Sequence, residues 1–144
     1  MRKYCFIFVI ITFCFAFNLS CDKMDCNNGL DGQWQMYEWT SPSGEYLGGK
    51  DMKIYYSFQL QMMMFQKLSY SSGYLLSSFE NKGTYIRVYD PIKYKGNGHD
   101  DILSMDTLAQ YGVPFDGLMN IEQLTSDNLV LKSNNSGTLK FRKY

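Results

Sequence analysis

From residue 30 onward, apolar and polar positions mostly alternate one by one in short runs separated by turn residues. A period of two is the mark of a strand with one face buried. Residues 33–40 form the first such run, closed by the turn residues Ser41-Pro42-Ser43-Gly44. The longest run covers 53–67, where Ile54, Tyr56, Phe58, Leu60, Met62 and Met64 alternate with Tyr55, Ser57, Gln59, Gln61, Met63 and Phe65. The even-numbered set is wholly apolar, so the pattern predicts one long strand with that set inside. Two further strands are predicted at 72–79 and 84–90, joined as a hairpin by Glu80-Asn81-Lys82-Gly83. Ile86 and Val88 are expected to face inward, Tyr85, Arg87 and Tyr89 outward, and Pro91 to end the pairing. A loop with Lys95, His99, Asp100 and Asp101 leads to a short helix at 102–111, stopped by Gly112-Val113-Pro114. Closing strands follow at 118–124, 128–132 and 138–143, with turns at 125–127 and 133–137.

These elements define an all-β fold of seven or eight antiparallel strands and one short helix. Connections are short, which favours an up-and-down meander. Closing that meander into a barrel removes exposed edges. About eight strands leave an interior just wide enough for side chains or one small ligand.

The first 20 residues have a different texture. Arg2 and Lys3 precede an apolar run over residues 4–17, and Ser20 precedes Cys21. That is the layout of a bacterial export signal, with Cys21 placed as the acceptor of a lipid anchor. The apolar run is shorter than the roughly 20 residues a spanning helix needs. The expected organisation is therefore a signal peptide at 1–20, a flexible tether at 21–30 and one domain at 31–144. The mature chain is expected to be held in the cell envelope, at the outer membrane, by acyl chains. Cysteine usage agrees: Cys5 and Cys14 leave with the signal, and residues 27–144 contain none. The core, not disulfides, must hold the fold. Loss of Arg2 and Lys3 turns a formal net charge of +0 into about −2, which argues against nucleic-acid binding.

Leu30-Asp31-Gly32-Gln33-Trp34 at the start of the first strand resembles the Gly-x-Trp opening of lipocalins. Leu139-Lys140-Phe141-Arg142-Lys143 is similar to their closing strand, where a basic side chain packs over that tryptophan. With the export signal, the chain resembles small lipocalin-like bacterial lipoproteins, many of unassigned function. It is shorter than typical lipocalins and lacks their paired cysteines. The resemblance implies that Gly32 and Trp34 close one end of the barrel with a cation from the last strand. Arg142 is the first candidate, Lys140 and Lys143 the alternatives.

Candidate chemistry is sparse. His99 adjoins Asp100 and Asp101, but neighbours on an extended chain point apart, and no nucleophile motif is present. No enzyme activity, cofactor or metal is expected. If a small apolar ligand occupies the barrel, the inward positions would line its pocket. These are Tyr56, Phe58, Leu60, Met62 and Met64 from the long run and Ile86 and Val88 from the hairpin. Met119, Ile121, Leu131 and Phe141 complete the set from the closing strands. The rival expectation is a filled barrel whose outer face contacts another envelope protein or a glycan, with Tyr55, Tyr85 and Tyr89 as stacking candidates.

Overall fold

The structure, a computed structural model, describes residues 26–68, 73–96 and 99–144. The export signal and Cys21 lie outside the described residues. Ten strands are described: β1 (Gly32–Thr40), β2 (Tyr46–Gly49), β3 (Ile54–Gln59), β4 (Met62–Lys67), β5 (Tyr74–Asn81), β6 (Tyr85–Lys93), β7 (Asp101–Ile102), β8 (Leu118–Leu124), β9 (Asn128–Ser133) and β10 (Gly137–Lys143). Eight of them pair antiparallel in the order β10-β9-β8-β6-β5-β4-β3-β1, and β1 pairs with β10 to close an up-and-down barrel. β2 is added to the side of β1 and β7 to β6. Closure leaves eight strands without a free edge, as the meander predicts.

The long run at 53–67 is not one strand. It folds back at Leu60-Gln61, pairing Gln59 with Met62 and Phe58 with Met63. In a two-residue hairpin, facing partners have opposite parity. The inward set therefore passes from even numbers in β3 to odd numbers in β4. The turn carries no glycine, proline or asparagine. Leu60 itself takes the positive φ of 55° that the fold-back needs, so the sequence has no punctuation there.

Pro91 does not end pairing either, since β6 continues to Lys93. The register shifts between Leu76 and Ser78, beside a left-handed Asp90 with φ of 51°. Proline cannot donate to a ladder, and a bulge is a position in a strand where no donor is required. Ser77 Oγ donates to the Tyr89 carbonyl at 2.5 Å, satisfying an acceptor that the bulge frees.

The predicted short helix is a 3-10 helix at Met105–Tyr111, capped by Ser104 Oγ, which accepts from Asp106 N, and ended by Gly112. Ile102 belongs to β7 instead. A second 3-10 turn, Lys50–Met52, joins β2 to β3. Leu108, Tyr111 and Val113 are buried in the core cluster. They cover the distal end of the barrel, the end opposite to where β1 begins.

The proximal end is covered by the segment entering β1. Residues 26–30 were expected to be a flexible tether. They form a turn with Asn27 and Leu30 buried. Asn27 Nδ2 donates to the Leu60 carbonyl at 2.8 Å, and Asn81 Nδ2 donates to the Asn27 carbonyl at 2.9 Å. The turn is thereby tied to both hairpins it crosses, and Leu30 fills the space beneath.

Candidate functional site

The barrel interior is the first place to look for a ligand. Tyr56, Phe58, Ile86, Val88, Met119, Leu131 and Phe141 are buried there as expected, and Ile121 is half-buried against them. Leu60, Met62 and Met64 are not inside. Leu60 is 63% exposed on the turn and Met62 39% exposed, while Met64 lies half-buried on the outer face of β4. The hairpin parity puts Met63 and Phe65 in their place, both fully buried. A tight turn inside the run would have predicted both, had its residues carried a turn signal.

Aromatic rings fill the interior. Tyr56 meets Phe141 at 4.6 Å and Phe65 at 4.9 Å between centroids. Phe58 meets Phe79 at 5.2 Å, and Phe65 meets Tyr111 of the distal cover at 5.6 Å. These separations are those of rings in direct contact. The Tyr56 hydroxyl donates to the Tyr111 carbonyl at 2.6 Å, so this polar group deep in the core is satisfied. Among the described residues no buried side-chain nitrogen or oxygen lacks a partner. A ligand of drug size would need to displace several of these rings.

Burial pushes the Tyr56 phenol well above its ordinary pKa of 10.0, with the nearby Tyr111 phenol adding to the shift. The folded state therefore keeps this proton when the unfolded chain releases it. Stability from this group is intact below about pH 10 and lost as pH rises above it. Tyr56→Phe removes that titration while giving up one hydrogen bond, worth about 1 kcal/mol. The stability gap between wild type and Tyr56→Phe, read from urea midpoints between about pH 9 and 12, is expected to narrow as pH rises. A constant gap would show that Tyr56 ionises as freely in the fold as outside it.

The proximal end has the expected tryptophan but a different cation. Trp34 is fully buried and its Nε1 donates to the Leu30 carbonyl at 2.7 Å. Lys143 Nζ lies 4.2 Å from the ring centroid and also donates to the Asp31 carbonyl. Arg142, the first candidate, is exposed. The register explains the exchange. Trp34 pairs with Lys143 and Gln35 with Arg142, so Arg142 takes the outward parity. Lys140 also points outward, to Glu38 at 2.7 Å. Gly32 has φ of 114°, and a Cβ there would stand 2.9 Å from Lys143 Nζ. Its place in the motif follows from both backbone conformation and room for the lysine.

The outer face carries the surplus of apolar side chains. Met64 pairs with Leu76, Leu76 with Ile92, and Ile92 with Ile102, forming one row across β4 to β7. Ile102 is 88% exposed. Tyr74 and Tyr94 stack beside this row at 5.8 Å. Of the tyrosines expected to offer open rings, Tyr55 is buried, edge-on to Tyr144 at 5.3 Å. Tyr85 and Tyr89 are half-buried. Towards the proximal end a groove of about 840 Å³ opens, lined by Cys26, Asn27, Leu60, Met62, Lys82 and Tyr89 among others. At the distal end Lys95 holds the acidic loop: its amide donates to Asp100 and its Nζ pairs with Asp101 at 2.8 Å. No cluster of metal-ligating side chains occurs among the described residues.

Residues 13–144 match the family described as lipocalin-like domain. The chain belongs to that lipocalin-like family. A lipocalin-like protein from Bacteroides uniformis has the same fold, with a TM-score of 0.58 and 22% identity, over 81% of this chain and 99% of the other. A protein from Bacteroides eggerthii described as uncharacterized aligns with a TM-score of 0.57 and 22% identity, over 80% of this chain and 99% of its own. No curated protein matches. The lipocalin-like domain thus shares an architecture that can hold ligands, and its own interior is packed with side chains.

Proposed function

We propose that this lipocalin-like domain is an exported, lipid-anchored accessory module of the bacterial cell envelope. It acts by contacting another envelope component with its outer surface and carries no small molecule inside the barrel. The observation that supports this is the filled interior. Ligand pockets usually offer roughly 300 Å³ or more, and here Tyr56, Phe58, Phe65, Phe79 and Phe141 occupy that volume. The apolar row on the outside is the complementary feature: Met64, Leu76 and Ile92 are half-buried and Ile102 is exposed, and apolar side chains grouped on an outer face mark interaction sites. No catalytic step is assigned: His99 and Asp100 are exposed.

The anchor is tested by Cys21→Ser. Expression of the full chain in a Gram-negative host is expected to leave the wild type in the membrane fraction and release the variant into the soluble envelope fraction. A variant that stays membrane-bound and uncleaved would mean that the apolar segment is itself the anchor. The released variant also tests the interior. Native mass spectrometry is expected to give the bare polypeptide mass, and a stoichiometric apolar molecule retained on it would restore the ligand-carrier alternative.

A further inference from the structure

The β3–β4 turn displays two apolar side chains at the end of the barrel where the chain enters. Leu60 is 63% exposed and Met62 39% exposed. Leu60 also holds the left-handed φ of 55°, a conformation that asparagine or glycine adopts more cheaply. A leucine at this position is thus unfavourable for the backbone and for the solvent. Such a residue needs a reason outside the fold.

Its surroundings supply one. The Leu60 carbonyl is held by Asn27, whose chain neighbour Cys26 is exposed and lines the same groove as Leu60 and Met62. Five residue steps separate Cys21 from Cys26, and an extended chain spans at most about 17 Å over that length. An acyl chain on Cys21 would therefore hold this end of the barrel close to the bilayer. The distal end, with Ile102, lies the length of the β6 strand away. The groove beside the turn is also lined by polar side chains, among them Asn28, Gln61 and the exposed ion pair of Lys82 with Glu80 at 3.1 Å, a mixed-charge lining that suits zwitterionic lipid headgroups.

We propose that the Leu60–Met62 turn is a membrane-contacting surface, seating its two apolar side chains at the headgroup–acyl boundary of the bilayer that carries the anchor. The inference rests on the lipid anchor proposed above. It goes further by fixing which end of the barrel meets the lipid, leaving the row from Met64 to Ile102 on the side of the barrel. Apolar side chains with a polar rim settle at that boundary in the manner of interfacial anchors.

The test places a tryptophan at the turn, in full chain purified with its lipid and reconstituted into phosphatidylcholine vesicles with brominated acyl chains. Mass spectrometry first establishes the modification of Cys21. After subtraction of the emission of Trp34 and Trp39, Leu60→Trp is expected to be quenched about twofold or more, as insertion to that boundary requires. Met62→Trp reports the same contact from the neighbouring position. Ile102→Trp, at the most exposed apolar site of the distal end, is expected to be unaffected. Equal quenching at both ends, or none at the turn, would overturn the proposal. If Cys21 carries no lipid, the anchor reading fails by itself. The turn is then tested in the Cys21→Ser background by coupling Cys26 to a maleimide phospholipid, with the same comparison deciding the outcome.

Discussion

Trp34→Ala is expected to lower stability by about 3–5 kcal/mol, the usual loss when a large aromatic ring is cut from a core. Three contributions meet at this residue. The ring is fully buried beneath Leu30. Its Nε1 satisfies the Leu30 carbonyl. Its face carries Lys143 Nζ at 4.2 Å, an interaction worth about 0.5–2 kcal/mol. Alanine loses all three and loosens the turn that covers the proximal end. Natural domains have only about 5–15 kcal/mol to lose, so the variant is expected to unfold far earlier in urea, followed by circular dichroism. Trp34→Phe restores most of the packing but leaves the Leu30 carbonyl without its donor, at about 1–3 kcal/mol, and should fall between the two. Lys143→Met isolates the cation. If Trp34→Ala unfolds at the wild-type urea concentration, Trp34 is not the element that closes this end.

Gly137→Ala is expected to be among the most damaging of the small substitutions. Gly137 starts the last strand and has φ of 83°, and a Cβ there would lie 2.0 Å from the Thr40 carbonyl oxygen and 2.5 Å from the Ser41 carbonyl carbon. Neither contact can relax by a side-chain rotation, because both partners are backbone. Gly44 offers the control: its φ is 87°, with no atom within 4 Å of its virtual Cβ. Gly44→Ala should show the left-handed strain alone, about 1–2 kcal/mol. Gly137→Ala should add about 1–3 kcal/mol for overpacking, read as a lower urea midpoint than Gly44→Ala. The clash lies where the end of β1 meets the start of β10, so this substitution attacks barrel closure itself. Equal midpoints for the two variants would show that the β1–β10 seam opens at no cost.

The strands 118–124, 128–132 and 138–143 are legible almost to the residue, because turn residues separate them and apolar residues recur at every second position in the last two. Leu129, Leu131, Leu139 and Phe141 are all buried as their alternation implies. The run at 53–67 shows where the same logic fails. An alternating apolar pattern is blind to a fold-back that carries no turn residue. The inward face was therefore right for Tyr56 and Phe58 and reversed for Met62, Met63 and Met64. Pro91 misled for the opposite reason: a residue that breaks most ladders is tolerated at a bulge, and bulges have no sequence mark of their own. Charge alone does not separate Arg142 from Lys143, since both side chains are cations at the end of the same strand. Only the pairing of Trp34 with Lys143 chooses between them.

Local physical chemistry sufficed for what is repeated and short-range. Alternation determined an all-β chain, and turn residues determined most strand ends. The Gly-x-Trp segment with a basic last strand pointed to a lipocalin-like barrel, and the layout of residues 1–21 carried the expectation of export and anchoring. Three-dimensional packing decided what depends on residues far apart in the chain. It closed β1 on β10 and set which cation reaches the tryptophan. It also determined whether the barrel interior is room or rings. The last distinction is a balance of volumes, in which side chains from eight strands and two covering segments are summed in one space. No single segment contains that sum. Here Phe79 and Tyr111, drawn from the hairpin and the distal cover, complete the filling and leave the apolar surplus on the outside.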